Sequence, residues 1–414
     1  MSKWEWKKLG EVAKIYNGNS INANVKKKRY SNVESGFPFI ATKDVGNDSE
    51  VDYENGIRIP FEEAGFKVAR KDTVLICAEG GSAGKKKCIL NEDVCFGNKL
   101  FAIDYNREKL IGKFVFYYTF EQSFTDEFQK LLSGIIGGVS SAKFKEIQIP
   151  IPPLSEQKRI VKFLDEEFSK IETLKTNAET NLKNAKELFE TTLEKELNPL
   201  SRHSERSEES SADLPSGWEW KKMRDVCEVT SSKRIFKDEY VKRGIPFYRT
   251  KEIKELSHGE PLSLELFISE EKYNQIKQKF GVPQIGDVLI SAVGTIGEIL
   301  VISNNNPFYF KDGNIIWLKN ISLFDSIFLK YELKSIIDSL KAMTRGAAYN
   351  ALTIEKLKEC KIPLPPLSVQ KEIVARLDKL SENVKRLEAN YKQIIANCDE
   401  LKKSILKQTF QGGN

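Results

Sequence analysis

The residues that most often bind metals or attack bonds are few and poorly spaced in this 414-residue chain. His203 lies in a polar stretch and His258 stands beside Gly259, and these are its two histidines. The six cysteines (Cys77, Cys88, Cys95, Cys227, Cys360, Cys398) show no Cys-x-x-Cys spacing, so reduced thiols are expected and zinc is set aside. The chemistry that remains is recognition by charge. Lys26-Lys27-Lys28-Arg29 and Lys85-Lys86-Lys87 are dense basic runs early in the chain; Lys233-Arg234, Lys242-Arg243 and Lys277-Gln278-Lys279 come later. Net charge is +6: residues 1–150 carry 23 Lys and Arg against 20 Asp and Glu, and residues 216–362 carry 23 against 19. A basic excess confined to those two stretches fits a nucleic-acid partner, and being small it also fits a solvated surface.

Two short motifs touch on catalysis. Asn306-Pro307-Phe308-Tyr309 is similar to the Asn-Pro-Pro-Tyr tetrapeptide of amino-methyltransferases, which holds the amine of a flipped base. Its second proline is missing and no glycine-rich strand-turn-helix motif accompanies it, so a turn before a strand from Phe308 to Phe310 is the expected role. Glu332 and Lys334 form a Glu-x-Lys pair without the preceding acid of a nuclease. The opening Met-Ser-Lys-Trp-Glu-Trp-Lys-Lys does not read as a signal peptide and no apolar run approaches membrane-spanning length, so a cytoplasmic protein is expected.

The scaffold that must carry these loops is written twice. Trp4-Glu5-Trp6-Lys7-Lys8 returns as Trp218-Glu219-Trp220-Lys221-Lys222. Phe37 to Asp44, a strand into a turn, is echoed by Ile245 to Glu252. The apolar run Asp72 to Ala78, a buried strand leading into Gly80-Gly81-Ser82-Ala83-Gly84, is echoed by Asp287 to Val293 leading into Gly294-Thr295-Ile296-Gly297. Gly97-Asn98, before a strand through Ile103, is echoed by Gly313-Asn314. A helix is expected from Phe114 to Leu132, and Gly137 to Lys143 reads as a flexible loop. The pattern is a tandem duplication whose interiors have diverged.

Each copy ends in a proline-rich entry to a long run without proline or glycine: Ile149-Pro150-Ile151-Pro152-Pro153-Leu154-Ser155 and Ile362-Pro363-Leu364-Pro365-Pro366-Leu367-Ser368. Proline forces extended geometry, so a helix starts after it, with Ser155 and Ser368 placed for N-caps. Ile373, Leu377, Leu380, Val384, Leu387, Tyr391, Ile394, Cys398, Leu401 and Ile405 follow at steps of four and three, a heptad seam. The corresponding first-copy seam (Ile160, Leu164, Glu167, Ile171, Leu174, Ala178, Asn181, Ala185, Leu188, Thr192) is poorer, with small alanines that leave room for larger partners and Asn181 able to fix register. Rods of about 60 Å with one apolar stripe need partners, and the nearest candidate for each is the other. The expected boundaries are 1–150 and 216–362 for two recognition domains, 151–198 and 363–414 for the helices, and 199–215 for a polar linker.

The Gly-Trp-Glu-Trp opening, the Gly-Thr-Ile-Gly loop and the duplicated Pro-Pro-Leu-Ser-x-Gln-Lys-x-Ile-Val entry together resemble the specificity subunit of type I restriction-modification systems, over essentially the whole chain. The Ser-rich linker after Leu197 departs from that pattern, and Lys85 lies where the first module lacks the second glycine equivalence. The resemblance implies an α+β fold: two similar, strand-rich target recognition domains separated by two long helices in an antiparallel coiled coil, a pseudo-two-fold tandem duplication. Each domain would read one half of a split double-stranded DNA site. The chain would be non-catalytic and dock two adenine methyltransferase subunits and, through them, nuclease-translocase subunits. S-adenosylmethionine, ATP and Mg would belong to those partners, with no cofactor on this chain.

In that setting lysine and arginine neutralise phosphates without regard to sequence, and loop side chains read base edges. Polar and basic loop residues at matching places in the repeat are the expected DNA contacts: Thr42, Lys43, Ser82, Lys85, Lys86, Ser140, Ser141 and Lys143 in the first module, and Arg249, Thr250, Lys251, Thr295, Arg345, Tyr349 and Asn350 in the second. Duplication and heptads equally fit a coiled-coil scaffold whose modules bind proteins, and a stand-alone DNA-binding regulator is a third reading.

Overall fold

The computed structural model describes residues 4–31, 33–133, 137–198, 214–342 and 352–411, with the backbone alone for 338–342. Most of the expected linker, 199–213, lies outside the described residues. The chain forms two units: Met1–Thr180 with Tyr391–Asn414, and Asn181–Asn390.

In the first unit an antiparallel sheet runs in the order Ala13–Asn17, Leu100–Tyr105, Val74–Cys77, Lys87–Ile89. The second sheet is mixed: Arg58–Ile59, Phe37–Ile40, Val94–Phe96, Val68–Ala69, with Phe37–Ile40 and Val94–Phe96 parallel. Val74–Cys77 is fully buried because both faces are covered. Its side chains alternate, so Val74 and Ile76 join a core with Phe114 and Phe144, while Leu75 and Cys77 join one with Ile40 and Phe96. The second unit repeats the antiparallel sheet, and its mixed sheet keeps the same three-strand centre with the fourth strand on the opposite edge. Glu228–Thr230, Ile315–Lys319, Val288–Ser291 and Ile299–Val301 form its antiparallel sheet, and Tyr240–Val241, Phe267–Ile268, Ile245–Tyr248 and Tyr309–Phe310 its mixed one.

The duplicated opening and the duplicated proline-rich entry turn out to be partners. Glu5–Lys8 pairs antiparallel with Gln148–Ile151, setting Trp6 opposite Pro150, and Glu219–Lys222 pairs with Lys361–Leu364, setting Trp220 opposite Pro363. Each two-stranded clasp closes its module and feeds directly into a rod. Proline is tolerated there because a two-stranded ribbon leaves ladder positions unpaired.

The rods are helices Leu154–Leu197 and Leu367–Gln411. Ser155 and Ser368 lie inside the first turn and are not the caps: the Pro153 carbonyl accepts from Glu156 and Gln157 N–H, and Pro366 accepts from Val369 and Gln370. A proline that needs no donor of its own can fill the capping position, which moves each start one residue ahead of the serine. Gln157 and Gln370 are fully buried. Gln157 donates to Lys109 O (2.8 Å) and Pro152 O (2.9 Å) and accepts from Ile111 N–H (2.9 Å). Gln370 donates to Leu323 O and Pro365 O (both 2.9 Å) and accepts from Asp325 N–H (2.7 Å). Tyr117 to Asp165 and Tyr331 to Asp378 add a second duplicated tie from module to rod.

Within each unit the rods run antiparallel. Lys175 meets Asp399 at 2.8 Å and Lys402 meets Glu172 at 2.6 Å in the first; Arg376 meets Glu196 at 2.8 Å in the second. The expected seam is half right. Leu164, Ile171, Ala178 and Ala185 are buried every seventh residue, but Leu174, Leu188, Leu387 and Leu401 are exposed. Phe168, Lys175 and Leu182, half-buried, and buried Phe189 flank the row instead, and Asn181 is exposed, outside the seam. A seven-residue repeat fixes one row without fixing which neighbour flanks it.

Two other expectations change. The helix expected over Phe114 to Leu132 is two, Gly112–Tyr118 and Gln122–Leu131, because extended Glu121 caps the second by accepting from Ser123 N–H. Gly137 to Lys143 is pinned, with Gly80 N–H donating to Gly137 O, Val139 N–H to Ala78 O, and a helical turn, Ser141–Phe144, capped by the Ser140 hydroxyl.

Candidate nucleic-acid interface

In the first module a glycine turn follows the buried strand Val74–Cys77. Gly80 and Gly84 adopt φ of +85° and +72°, and a Cβ at Gly84 would meet the Phe128 ring at 2.6 Å, so this turn requires glycine. The Ser82 carbonyl accepts from Lys85 and Lys86 N–H, which folds the turn back on itself. Lys86 reaches across to donate to Thr42 O at 3.3 Å, and Thr42 with Lys43 begins the 3-10 turn Thr42–Asp44. Thr42, Lys43, Ser82, Lys85 and Lys86 are thus brought into one neighbourhood. Ser140 and Ser141 are held against the other side of the turn, where they line a groove with Asn17, Glu79 and Asn98. Lys143 is exposed on the following helical turn.

Asn17, Glu79 and Asn98 were missed in the sequence. Asn98 carried a signal, since Gly-Asn recurs as Gly313-Asn314; Asn17 and Glu79 carried none. The Lys85-Lys86-Lys87 run also divides. Lys87 begins a strand and points inward at 4% exposure, donates to Thr119 O, and lies 4.3 Å from the Phe120 ring centroid. Burial lowers its pKa to about 7, and it is not part of the exposed surface. Its ladder partner is Ile76, the place that Ile299 takes opposite Ile290 in the second module.

In the second module Arg249 precedes helix Thr250–His258, and its backbone N–H donates to Glu252 Oε2 at 2.7 Å. The Arg249 guanidinium bonds Glu252 Oε1 at 2.6 Å and Glu265 Oε2 at 2.9 Å, and Lys251 bonds Glu265 Oε1 at 2.6 Å. Bonding to Glu252 foremost raises the Arg249 pKa above its usual value; Lys251 and then Arg249 hold the Glu265 carboxyl below its usual range. Thr250 is half-buried, its hydroxyl without a hydrogen-bond partner. Thr295 is exposed at the tip of the Gly294–Gly297 turn, which Ser291 braces by accepting from Glu298 N–H at 2.8 Å. Arg345, Tyr349 and Asn350 lie outside the described residues.

The Asn306-Pro307-Phe308-Tyr309 tetrapeptide is committed to structure. Phe308 stacks on Tyr248 at 4.5 Å, and the Tyr309 hydroxyl accepts from Lys233 N–H at 2.7 Å. Burial pushes the Cys88 and Cys227 thiols up to about 12. Among the described residues no group of three or more His, Cys, Asp or Glu is placed to hold a metal ion, and no helix is long and apolar enough to cross a membrane.

Two like modules, each clasped to a rod and each presenting loop side chains of its own, define a tandem recognition scaffold. The family model for the type I restriction modification DNA specificity domain matches residues 1–184 and again 215–396, and the chain belongs to that family. It is 29% identical over 382 residues to a putative type I restriction enzyme specificity subunit of Haemophilus influenzae, spanning 91% of this chain and 88% of that one. To the EcoBI specificity subunit of Escherichia coli it is 22% identical over 425 residues, 98% of this chain and 85% of the other. The fold is shared with a chain solved in work on complex assembly and conformational transition of the type I R-M system (TM-score 0.78, 22% identity, 100% and 98% covered). It is shared as well with the HsdS subunit of Thermoanaerobacter tengcongensis (TM-score 0.62, 21% identity, 100% and 97% covered).

Proposed function

We propose that this chain is the DNA-recognition subunit of a type I restriction-modification complex, each module reading one half of a bipartite site. It is a non-catalytic component. The observation that carries the reading is the family match over both copies of the module with its rod. Residues 1–150 and 216–362 are the recognition domains, 199–215 the linker between the copies, and the loops at Thr42, Ser82–Lys86, Ser140–Lys143, Arg249–Lys251 and Thr295 the surfaces that meet duplex DNA. Exposed lysines there supply salt-dependent attraction to phosphates, and the hydroxyls and amides beside them supply base readout. Arg345, Tyr349 and Asn350 belong to the second surface by their place in the repeat.

The paired helices, 151–198 and 363–414, set the number of unread bases between half-sites and dock two adenine methyltransferase subunits, which bring nuclease-translocase subunits. S-adenosylmethionine, ATP and Mg act on those partners in the cytoplasm. Co-expression with a cognate methyltransferase, followed by genome-wide mapping of methylated adenine, tests this. The expected result is one two-part motif with a fixed gap. Binding of the chain to methyltransferase without any methylated motif would contradict it and favour a protein scaffold.

A further inference from the structure

Arg249 and Lys251 are already occupied by an anion that belongs to the chain. Glu265 sits in the segment that returns along helix Thr250–His258 after the left-handed cap at Gly259 (φ +71°). That return is built, not incidental: Glu255 accepts from both the Ser263 N–H (2.9 Å) and the Ser263 hydroxyl (2.8 Å), fixing the strap two residues before Glu265. One Glu265 oxygen then meets Lys251 at 2.6 Å and the other meets Arg249 at 2.9 Å. Glu252 does not share this role, because at 1% exposure it is buried beneath Arg249, whereas Glu265 is exposed to solvent.

We propose that the Glu265 carboxylate stands in for a DNA phosphate, holding Arg249 and Lys251 off non-cognate duplex and so acting as a specificity-determining residue of the second module. The reasoning is electrostatic competition. A carboxylate bridging an arginine and a lysine presents the oxygens that a phosphate would present, and a backbone that merely passes by must displace it. A correctly read half-site compensates for the displacement with base contacts; a random sequence has none. Sequence-blind attraction falls while cognate binding is retained, which raises the ratio between them. This inference rests on the DNA-recognition reading.

The test is binding of the full chain to duplex DNA of randomised sequence across a salt series. Glu265→Gln keeps the shape and removes the charge. It is expected to bind random duplex about tenfold more tightly at low salt, and to steepen the dependence of log K on log salt by about 1 to 2, the release expected from one or two new phosphate contacts. Ser263→Ala, which loosens the strap without touching the charge, should move binding the same way by less, and adding Lys251→Gln to Glu265→Gln should cancel most of the gain. Unchanged affinity and slope in Glu265→Gln, with wild type binding normally, overturns the inference alone. Failure of wild type to bind duplex at any salt removes the DNA reading and the inference together.

Discussion

The two modules share a scaffold and differ in how their basic loops are neutralised. In the first, Lys85 and Lys86 have no carboxylate within ion-pair reach among the described residues, and Lys43 meets its neighbour Asp44 at 3.6 Å. In the second, Arg249 and Lys251 are tied to Glu252 and Glu265, Arg234 to Asp312 at 2.8 Å, and Lys272 to Glu239 at 2.5 Å. Duplication preserved the strand order of the antiparallel sheet, the clasp and the buried glutamine, because each satisfies backbone groups that any copy of the fold must satisfy. The loops answer to no such constraint. The Lys85–Lys86 turn carries open charge, whereas Arg249 and Lys251 carry charge already paired within the chain.

The largest effect should fall where the copies agree. Gln157→Ala and Gln370→Ala each strand two carbonyls and one N–H in the interior, and each should cost about 2–4 kcal/mol in urea unfolding; values differing widely between the two would break the equivalence. Next, where they differ, Lys85→Gln with Lys86→Gln should weaken binding to random duplex about tenfold or more and flatten its salt slope by about 1 to 2, whereas Arg249→Gln with Lys251→Gln should do so by less.

Lys87 sharpens the comparison inside the core. Its folded pKa is lowered to about 7 from 10.5 by burial, so the unfolded chain binds more protons between those values. Stability contributed at this site therefore rises with pH from about 7 to 10.5, at up to about 1.4 kcal/mol per unit. Lys87→Ile, the residue at the matching place in the second module, should flatten that rise and stabilise the chain at pH 7 by about 1–2 kcal/mol, leaving DNA binding unchanged. Loss of binding would return Lys87 to the interface. The smallest effect belongs to the rods: Leu174→Lys and Leu188→Lys, on exposed positions, should change stability by about 0.5 kcal/mol or less, against about 2–4 for Leu164→Ala.

The duplication and the strand at Val74–Cys77 were legible because repetition and apolar runs survive in sequence. The pairing of opening with entry was not, since Trp6 and Pro150 meet only through the fold. Neither was the role of Gln157, a polar residue whose burial depends on backbone groups of Lys109 and Ile111 as well as on the Pro152 carbonyl. The basic run at Lys85 hid an inward lysine because a strand begins at its last residue, Lys87. The seam was half legible: hydropathy marked Leu174 and Leu188, but an exposed leucine costs little and the second row is filled by Phe168 and Lys175. Of the interface, loop position was readable and ionic state was not, because Glu265 lies fourteen residues from Lys251 and reaches it only through the strap.

The central claim is that one scaffold, used twice, reads two different half-sites through its loops. Replacing residues 9–147 with residues 223–360, co-expressing the chain with its methyltransferase, and mapping methylated adenine across the genome tests it most directly. The account predicts a site whose two halves are copies of one sequence, the half formerly read by the second module. Persistence of the original two-part motif, in a complex that still methylates, would contradict it.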